Sequence, residues 1–208
     1  FFSFNNYFLF ACTSILFSAI FDFLDGFLAK RLNAQSELGA QLDSLADMIT
    51  FGLAPSFVAL NLVYQFNNPK YYLLLLLLIP INSAVRLARF NIKEPSHSTD
   101  FIGLPTPANA LFIISISLLF FKYADTLFIP YLNFIYVLIL SLSSFLMVSK
   151  ISFMSFKVKN MTFSSNKHMY VLLTLVLFTI IILLLMSKYY FILPIILLLY
   201  FIISIIKK

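Results

Sequence analysis

The chain has 208 residues, of which 62% are hydrophobic and 11% are charged, and its formal net charge is +6. Soluble domains contain about 45–50% apolar and about 25% charged residues, so this composition excludes an ordinary soluble domain and predicts a polytopic membrane protein. A single cysteine excludes an intrachain disulfide.

Seven apolar segments follow one another along the chain. Each is close to the length of about 20 residues that a helix needs to cross the hydrocarbon layer. They cover residues 4–29, 38–63, 71–90, 104–121, 127–149, 169–186 and 189–206. A spanning segment must satisfy its own backbone hydrogen bonds, which favours helices. The sequence therefore predicts an all-α fold, a bundle with seven transmembrane helices in this chain.

The basic residues indicate how the bundle is oriented. When the segments alternate across the membrane, most Lys and Arg residues lie in connectors on one side. An excess of basic residues is typical of the cytoplasmic side, so we expect a multi-pass protein of the cytoplasmic membrane whose basic surface meets anionic lipids. Because these residues are confined to short connectors, nucleic acid is not expected as a partner.

Most of the 8 acidic residues lie between positions 22 and 47, where the first two segments meet. Asp22 and Asp25 are spaced i, i+3, and Asp43 and Asp47 are spaced i, i+4, so each pair shares one helix face. The polar residues between the pairs can turn between antiparallel helices, which lets the two faces meet. Four converging carboxylates would repel one another without a cation, and an all-oxygen set suits Mg²⁺, Mn²⁺ or Ca²⁺.

The same stretch resembles the signature of the CDP-alcohol phosphatidyltransferase family. That signature is Asp, two residues, Asp-Gly, two residues, Ala-Arg, eight residues, Gly, three residues, Asp, three residues, Asp. Its positions correspond here to Asp22, Asp25, Gly26, Ala29, Lys30, Gly39, Asp43 and Asp47. Lys30 stands where the family usually has arginine, and either Lys30 or the adjacent Arg31 would fill that role.

Further stretches, at 36–56, 86–91, 101–110 and 146–157, resemble membrane-embedded phosphatidylserine synthases. This resemblance implies transfer of a phosphatidyl group from CDP-diacylglycerol to L-serine with release of CMP, by a homodimer whose active site faces the cytoplasm. It implies a catalytic transmembrane core at 1–157, followed at 158–208 by a loop and two more helices of the same domain. A further helix is expected before residue 1.

The resemblance also implies roles for individual residues. The ligands of two divalent cations, Mg²⁺ or Mn²⁺, are expected to be Asp22, Asp25, Asp43 and Asp47. Asp47 is also the expected general base. Contacts to CDP-diacylglycerol are expected from Gly26, Ala29, Lys30 and Gly39, because glycine leaves room for a ligand to approach the backbone.

Four polar residues of the third segment add to the signature. Arg86 and Arg89 are spaced i, i+3 and can face one pocket, where either could bind the lipid phosphate or the serine carboxylate. The other interpretation is that they anchor the helix on the cytoplasmic side. Asn82 and Ser83 lie deeper in the segment and are expected to form hydrogen bonds between helices.

Two alternative functions remain open at the level of sequence. One keeps the chemistry and changes the acceptor to glycerol 3-phosphate or inositol phosphate. The other, from a different class, is a divalent-cation transporter whose carboxylates line an ion path. The glycine spacing favours the transferase, because an ion path does not need glycines that admit a phosphate.

Overall fold

A computed structural model describes residues 7–32, 36–67, 71–92, 101–123, 132–153 and 167–206. Most of these residues are helical. The α-helices are α1 (Phe8–Arg31), α2 (Glu37–Asp47), α3 (Ala54–Asn67), α4 (Tyr71–Leu76), α5 (Leu78–Ile92), α6 (Thr106–Tyr123), α7 (Leu132–Val148), α8 (Lys167–Leu185) and α9 (Ile192–Ile206). A π-helical segment (Met48–Leu53) joins α2 to α3, and a 3₁₀ turn (Tyr189–Phe191) precedes α9.

The prediction of seven apolar helical segments is confirmed. Helix α2, the π-helical segment and α3 form one continuous span, and α4 with α5 forms the next. Among the described residues, five helices are long and apolar enough to cross a membrane, and α7 and α9 are shorter apolar helices. This set of helices indicates a multi-pass membrane protein.

The main core lies where α1, α3, α6 and α7 pack together. Its fully or almost fully buried side chains include Leu62, Ile113 and Leu140. Cys12 of α1 is buried in the same cluster, as expected for a small apolar residue. Because α1 is anchored here by its N-terminal half, its C-terminal half is free to present polar residues at one end of the bundle.

A second core attaches α8 and α9 to the rest of the bundle. The ring of Phe201 in α9 lies 5.3 Å from that of Phe112 in α6 and 6.1 Å from that of Phe153. Leu172 is the buried contribution of α8 to this cluster. The C-terminal helices therefore pack against α6 and against the segment that follows α7.

Polar residues of α5 meet two different neighbours. The Asn82 side-chain amide donates a 2.9 Å hydrogen bond to Ser144 Oγ in α7, which confirms the hydrogen bond between helices predicted for Asn82. The prediction was wrong for Ser83, whose hydroxyl has no hydrogen-bond partner within the described ranges. Ser83 instead packs against Gly52, where an added Cβ would lie only 2.9 Å from the serine side chain.

The π-helical segment begins directly after Asp47. Its hydrogen-bond pattern is seen at its end, where the Ala54 N–H donates to the carbonyl of Ile49, five residues earlier. Such segments occur often at functional sites. Since Gly52 lets this segment approach α5 closely, the C-terminal end of α2 is held against α5.

A short two-stranded clasp connects the chain after α5 to the chain after α7. Strand β1 (Phe101–Ile102) pairs antiparallel with β2 (Ser152–Phe153). Next to it, the Gly103 N–H donates to the Ile151 carbonyl at 2.8 Å, and the Leu104 N–H donates to the Leu146 carbonyl at 2.9 Å. The clasp fixes the start of α6 on the C-terminal end of α7.

Replacing Gly103 with alanine should destabilise this clasp. Gly103 has a φ of +79°, and an added Cβ would collide with the Met147 carbonyl oxygen. Strained backbone of this kind costs about 1–3 kcal/mol, so we expect a lower melting temperature of the purified protein in detergent. Gly26→Ala is the control, because a Cβ at Gly26 meets nothing within 4 Å. Equal melting temperatures for the two variants would contradict the prediction.

Candidate functional site

Carboxylates from α1 and α2 converge on one another. Asp22 and Asp25 lie in the C-terminal half of α1, and Asp43 lies in α2. One carboxylate oxygen from each lies within 4.8 Å of the others. Asp22 is half-buried, whereas Asp25 and Asp43 are exposed. The structure thus brings together the two acidic faces that the sequence spacing predicts.

Asp47 adjoins this three-carboxylate group from one turn further along α2. Its carboxyl group is in hydrogen-bonding contact with Asp22 and interacts electrostatically with Asp43. Asp47 is half-buried, while Asp43 is exposed. It therefore lies on the inner side of the cluster, next to the π-helical segment.

The three-carboxylate group has the chemistry of a site for a hard cation. Like charges at this separation repel each other, and a divalent cation between them would reverse the sign of the interaction. Carboxylate oxygens are the preferred ligands of Mg²⁺, Mn²⁺ and Ca²⁺. Asp22, Asp25 and Asp43 could therefore hold a metal ion.

The start of α2 is fixed by a side-chain cap. Ser36 has an extended backbone, and its hydroxyl accepts a 3.0 Å hydrogen bond from the Gly39 N–H. Glu37 in the first turn adds a favourable negative charge at the helix N-terminus. A Cβ at Gly39 would lie 3.0 Å from the Ser36 hydroxyl oxygen, so this glycine also leaves room for the cap.

The surface of α1 beside Asp25 is open. A Cβ at Gly26 would meet nothing within 4 Å, which leaves free space next to the carboxylates. Ala29, one turn on, is half-buried. Lys30 belongs to α1, but its side chain lies outside the described part of the structure. A ligand at the carboxylates could therefore lie along this glycine.

The contacts of Arg86 and Arg89 diverge, although their spacing allows one shared pocket. Arg86 is half-buried and interacts electrostatically with Asp47 and with Tyr200 of α9. Its Nε is buried and has no hydrogen-bond partner within the described ranges. Arg89 is exposed and donates from Nη1 to the Val148 carbonyl at 3.0 Å, at the C-terminal end of α7. Arg86 therefore interacts with the acidic cluster, and Arg89 contacts the end of α7.

Sequence reasoning missed a polar contact between α2 and the end of α5. Asn91 of α5 is hydrogen-bonded to Gln41 and Ser44 of α2. A signal was available, because Gln41 and Ser44 are spaced i, i+3 and form a polar face beside the acidic one. Their partner could not be identified from the sequence, because it lies about fifty positions away along the chain.

A model of the CDP-alcohol phosphatidyltransferase family matches residues 1–142. The chain belongs to this family. The matched region includes all four aspartates of the cluster, both arginines and Asn91. The family match ends inside α7. Helices α8 and α9 therefore lie beyond it, and α9 carries Tyr200.

Three curated relatives of this CDP-alcohol phosphatidyltransferase are named CDP-diacylglycerol–serine O-phosphatidyltransferase. The Helicobacter pylori protein is 40% identical over 124 residues, covering 59% of this chain and 52% of the relative. The Bacillus subtilis protein is 39% identical over 106 residues, covering 50% and 59%. The Methanocaldococcus jannaschii protein is 38% identical over 109 residues, covering 52% and 51%. The chain thus spans about half the length of these curated relatives.

Replacing Asp43 with asparagine should separate charge repulsion from metal binding in this family member. With a chelator present, the variant should melt at a higher temperature than the parent, because one of three mutually repelling charges is removed. Added Mn²⁺ should stabilise the parent by about 2.7 kcal/mol at 100 times its dissociation constant, and the variant by much less.

Thermal unfolding with and without Mn²⁺ measures both effects. Glu37→Gln is the matched control, since it removes an acidic side chain from the same helix outside the three-carboxylate group. An Asp43 variant that keeps the full response to Mn²⁺ would show that this carboxylate is not a ligand.

Proposed function

We propose that this chain transfers a phosphatidyl group from CDP-diacylglycerol to L-serine, giving phosphatidylserine and CMP. The observation that carries the proposal is the convergence of Asp22, Asp25 and Asp43, all positions of the family signature, on one point. The choice of serine as acceptor is supported by the names of the relatives.

Asp22, Asp25, Asp43 and Asp47 would together hold two divalent cations, Mg²⁺ or Mn²⁺, with Ca²⁺ compatible with the same oxygen ligands. Bound cations would offset the negative charge of the pyrophosphate and of the departing CMP. The open surface at Gly26 would accept the cytidine diphosphate part of the lipid, with Ala29, Lys30 and Gly39 beside it. Lys30 or Arg31 would contact a phosphate.

The reaction then needs one bond to form and one to break. The serine hydroxyl oxygen bonds to the phosphorus that carries diacylglycerol. The bond from that phosphorus to the bridging oxygen breaks, and CMP leaves with the electron pair. Asp47 takes the hydroxyl proton as the new bond forms. This role is supported by its contact with Asp22 and its electrostatic interaction with Arg86.

Arg86 would bind the anionic part of a substrate, either the lipid phosphate or the serine carboxylate. It interacts electrostatically with Asp47, and its buried Nε–H has no partner within the described ranges. A buried donor that stays unsatisfied is costly, so a bound anion would stabilise this arrangement. Arg89 is the weaker candidate, because one of its donors is used on Val148.

The proposed membrane orientation, domain organisation and oligomeric state are those expected from the sequence. The acidic cluster would face the cytoplasm in the cytoplasmic membrane, with the diacyl tails of the substrate in the bilayer. Residues 1–157 would form the catalytic core, with 158–208 part of the same domain, and the enzyme would act as a homodimer. The exposed apolar surfaces of α1 and α8 are compatible with either lipid or a second protomer.

Release of CMP from CDP-diacylglycerol tests the proposed function. Purified protein with Mn²⁺ should release CMP on addition of L-serine, and faster than with glycerol 3-phosphate or inositol phosphate. Asp47→Asn serves as the inactive control and should lose turnover. CMP release that prefers another acceptor would replace serine in the proposal. No CMP with any alcohol would overturn the transferase and favour ion transport.

Single alanine variants of Arg86 and Arg89 should behave differently. Arg86→Ala should raise the KM for serine or for CDP-diacylglycerol by roughly tenfold or more, because it removes a charge-assisted contact of about 1.5–3 kcal/mol. Arg89→Ala should mainly lower the melting temperature, since its described contact is with the end of α7. Steady-state kinetics and thermal unfolding of both variants measure this. Unchanged KM values in Arg86→Ala would contradict the substrate-binding role.

A further inference from the structure

We infer that Asn91 is a positioning residue that sets the rotation of α2 about its own axis, and thereby the direction of Asp43 and Asp47. The inference rests on the proposed metal role of the carboxylates. Neither the family signature nor the expected roles include Asn91, Ser44 or Gln41.

The contact rests on two hydrogen bonds that Asn91 donates to α2. The Asn91 side-chain N–H donates to Ser44 Oγ at 3.0 Å and to Gln41 Oε1 at 3.2 Å. The single proton of the Ser44 hydroxyl is shared between Asn91 Oδ1 at 3.2 Å and the Ala40 carbonyl of its own helix at 3.1 Å. Asn91 therefore holds two positions of α2, one turn apart, at the same time. Both contacts lie off the helix axis, so each resists rotation about that axis, and their separation by one turn also resists tilting.

Packing does little to fix this rotation. Helix α2 contributes no buried residue, and its leucines are largely exposed. The exposed fractions are 71% for Leu38, 56% for Leu42 and 57% for Leu45. The π-helical segment continues from the C-terminal end of the helix, while the Ser36 cap is a hydrogen bond within the helix's own first turn. Within the helix, the polar contact with Asn91 opposes rolling.

Rolling matters because the carboxylates stand well away from the helix axis. Successive residues of an α-helix are about 100° apart, so Asp43 faces α1 while its neighbour Ser44 faces α5. With side chains reaching about 6 Å from the axis, a roll of about 20° moves a carboxylate by about 2 Å. Such a shift would disperse a group whose oxygens lie within 4.8 Å of one another.

Asn82 provides a matched comparison on the same helix. It is the same residue type, it lies on α5, and its side-chain amide donates to Ser144 of α7 at 2.9 Å. It is buried, whereas Asn91 is exposed. Removing Asn82 should therefore weaken the fold without turning α2, and removing Asn91 should turn α2 with little effect on the fold.

The experiment is a titration of the purified full chain with Mn²⁺, followed by the shift in melting temperature. For Asn91→Ala, we expect the half-saturating Mn²⁺ concentration to rise roughly tenfold, as for other residues that orient metal ligands. The melting temperature without metal should change little. Asn82→Ala should show the opposite pattern, with a lower melting temperature and an unchanged half-saturating concentration.

Ser44→Ala gives a second, independent measurement. Like Asn91→Ala, it should raise the half-saturating Mn²⁺ concentration. The double variant with Asn91→Ala should have the same half-saturating concentration as Asn91→Ala alone, because both substitutions remove one contact. In the CMP assay, saturating Mn²⁺ should restore most of the turnover of either single variant.

Two results would overturn the inference. A parent protein whose melting temperature does not respond to Mn²⁺ would refute the proposed metal role and this inference with it. A parent that responds, with Asn91→Ala and Ser44→Ala responding at the same concentration as the parent, would refute the inference alone and leave the proposed function standing.

Discussion

Repulsion among the carboxylates of Asp22, Asp25 and Asp43 is the constraint that the surrounding structure has to resist. Their oxygens lie within 4.8 Å of one another, which is unfavourable for three negative charges without a cation. The opposing forces come from elsewhere in the fold: α1 is anchored in the main core through its N-terminal half, and α2 is held by the π-helical segment and by Asn91. The proposed binding of a cation at these carboxylates would therefore couple ion binding to stability, because the cation would remove this repulsion.

Helix α5 contacts several of the elements that hold the acidic cluster in place. Its polar residues point in turn to different neighbours: Asn82 to α7, Ser83 to the π-helical segment, Arg86 to Asp47, Arg89 to the end of α7 and Asn91 to α2. Because α5 contacts α2, the π-helical segment and Asp47 from a single axis, it keeps these parts of the site in register. This arrangement also brings Tyr200 of α9, beyond the family match, next to Arg86.

Sequence reasoning predicted the apolar helices and the convergence of the acidic faces because both depend on local spacing. Length and hydropathy define a membrane span, and i, i+3 or i, i+4 spacing defines a helix face. The same spacing rule allows Arg86 and Arg89 one shared pocket but does not specify their partners, since long side chains on one face can reach different neighbours. The contacts of Ser83 and Asn91 depend on which helix lies opposite, and no local pattern in one sequence specifies that.

The π-helical segment has a consequence for the helical phase of the second span. In an unbroken α-helix, Asp47 and the buried Val58 would lie about 20° apart around the helix axis. The Asp47 carboxylate would then point toward the apolar core. A π-turn accommodates about one extra residue, which offsets the two faces by about 100°. Met48–Leu53 thus lets one continuous helix be apolar toward the bundle at one end and acidic toward α1 at the other. A one-residue deletion there would not shorten a loop; it would realign the charged face with the core.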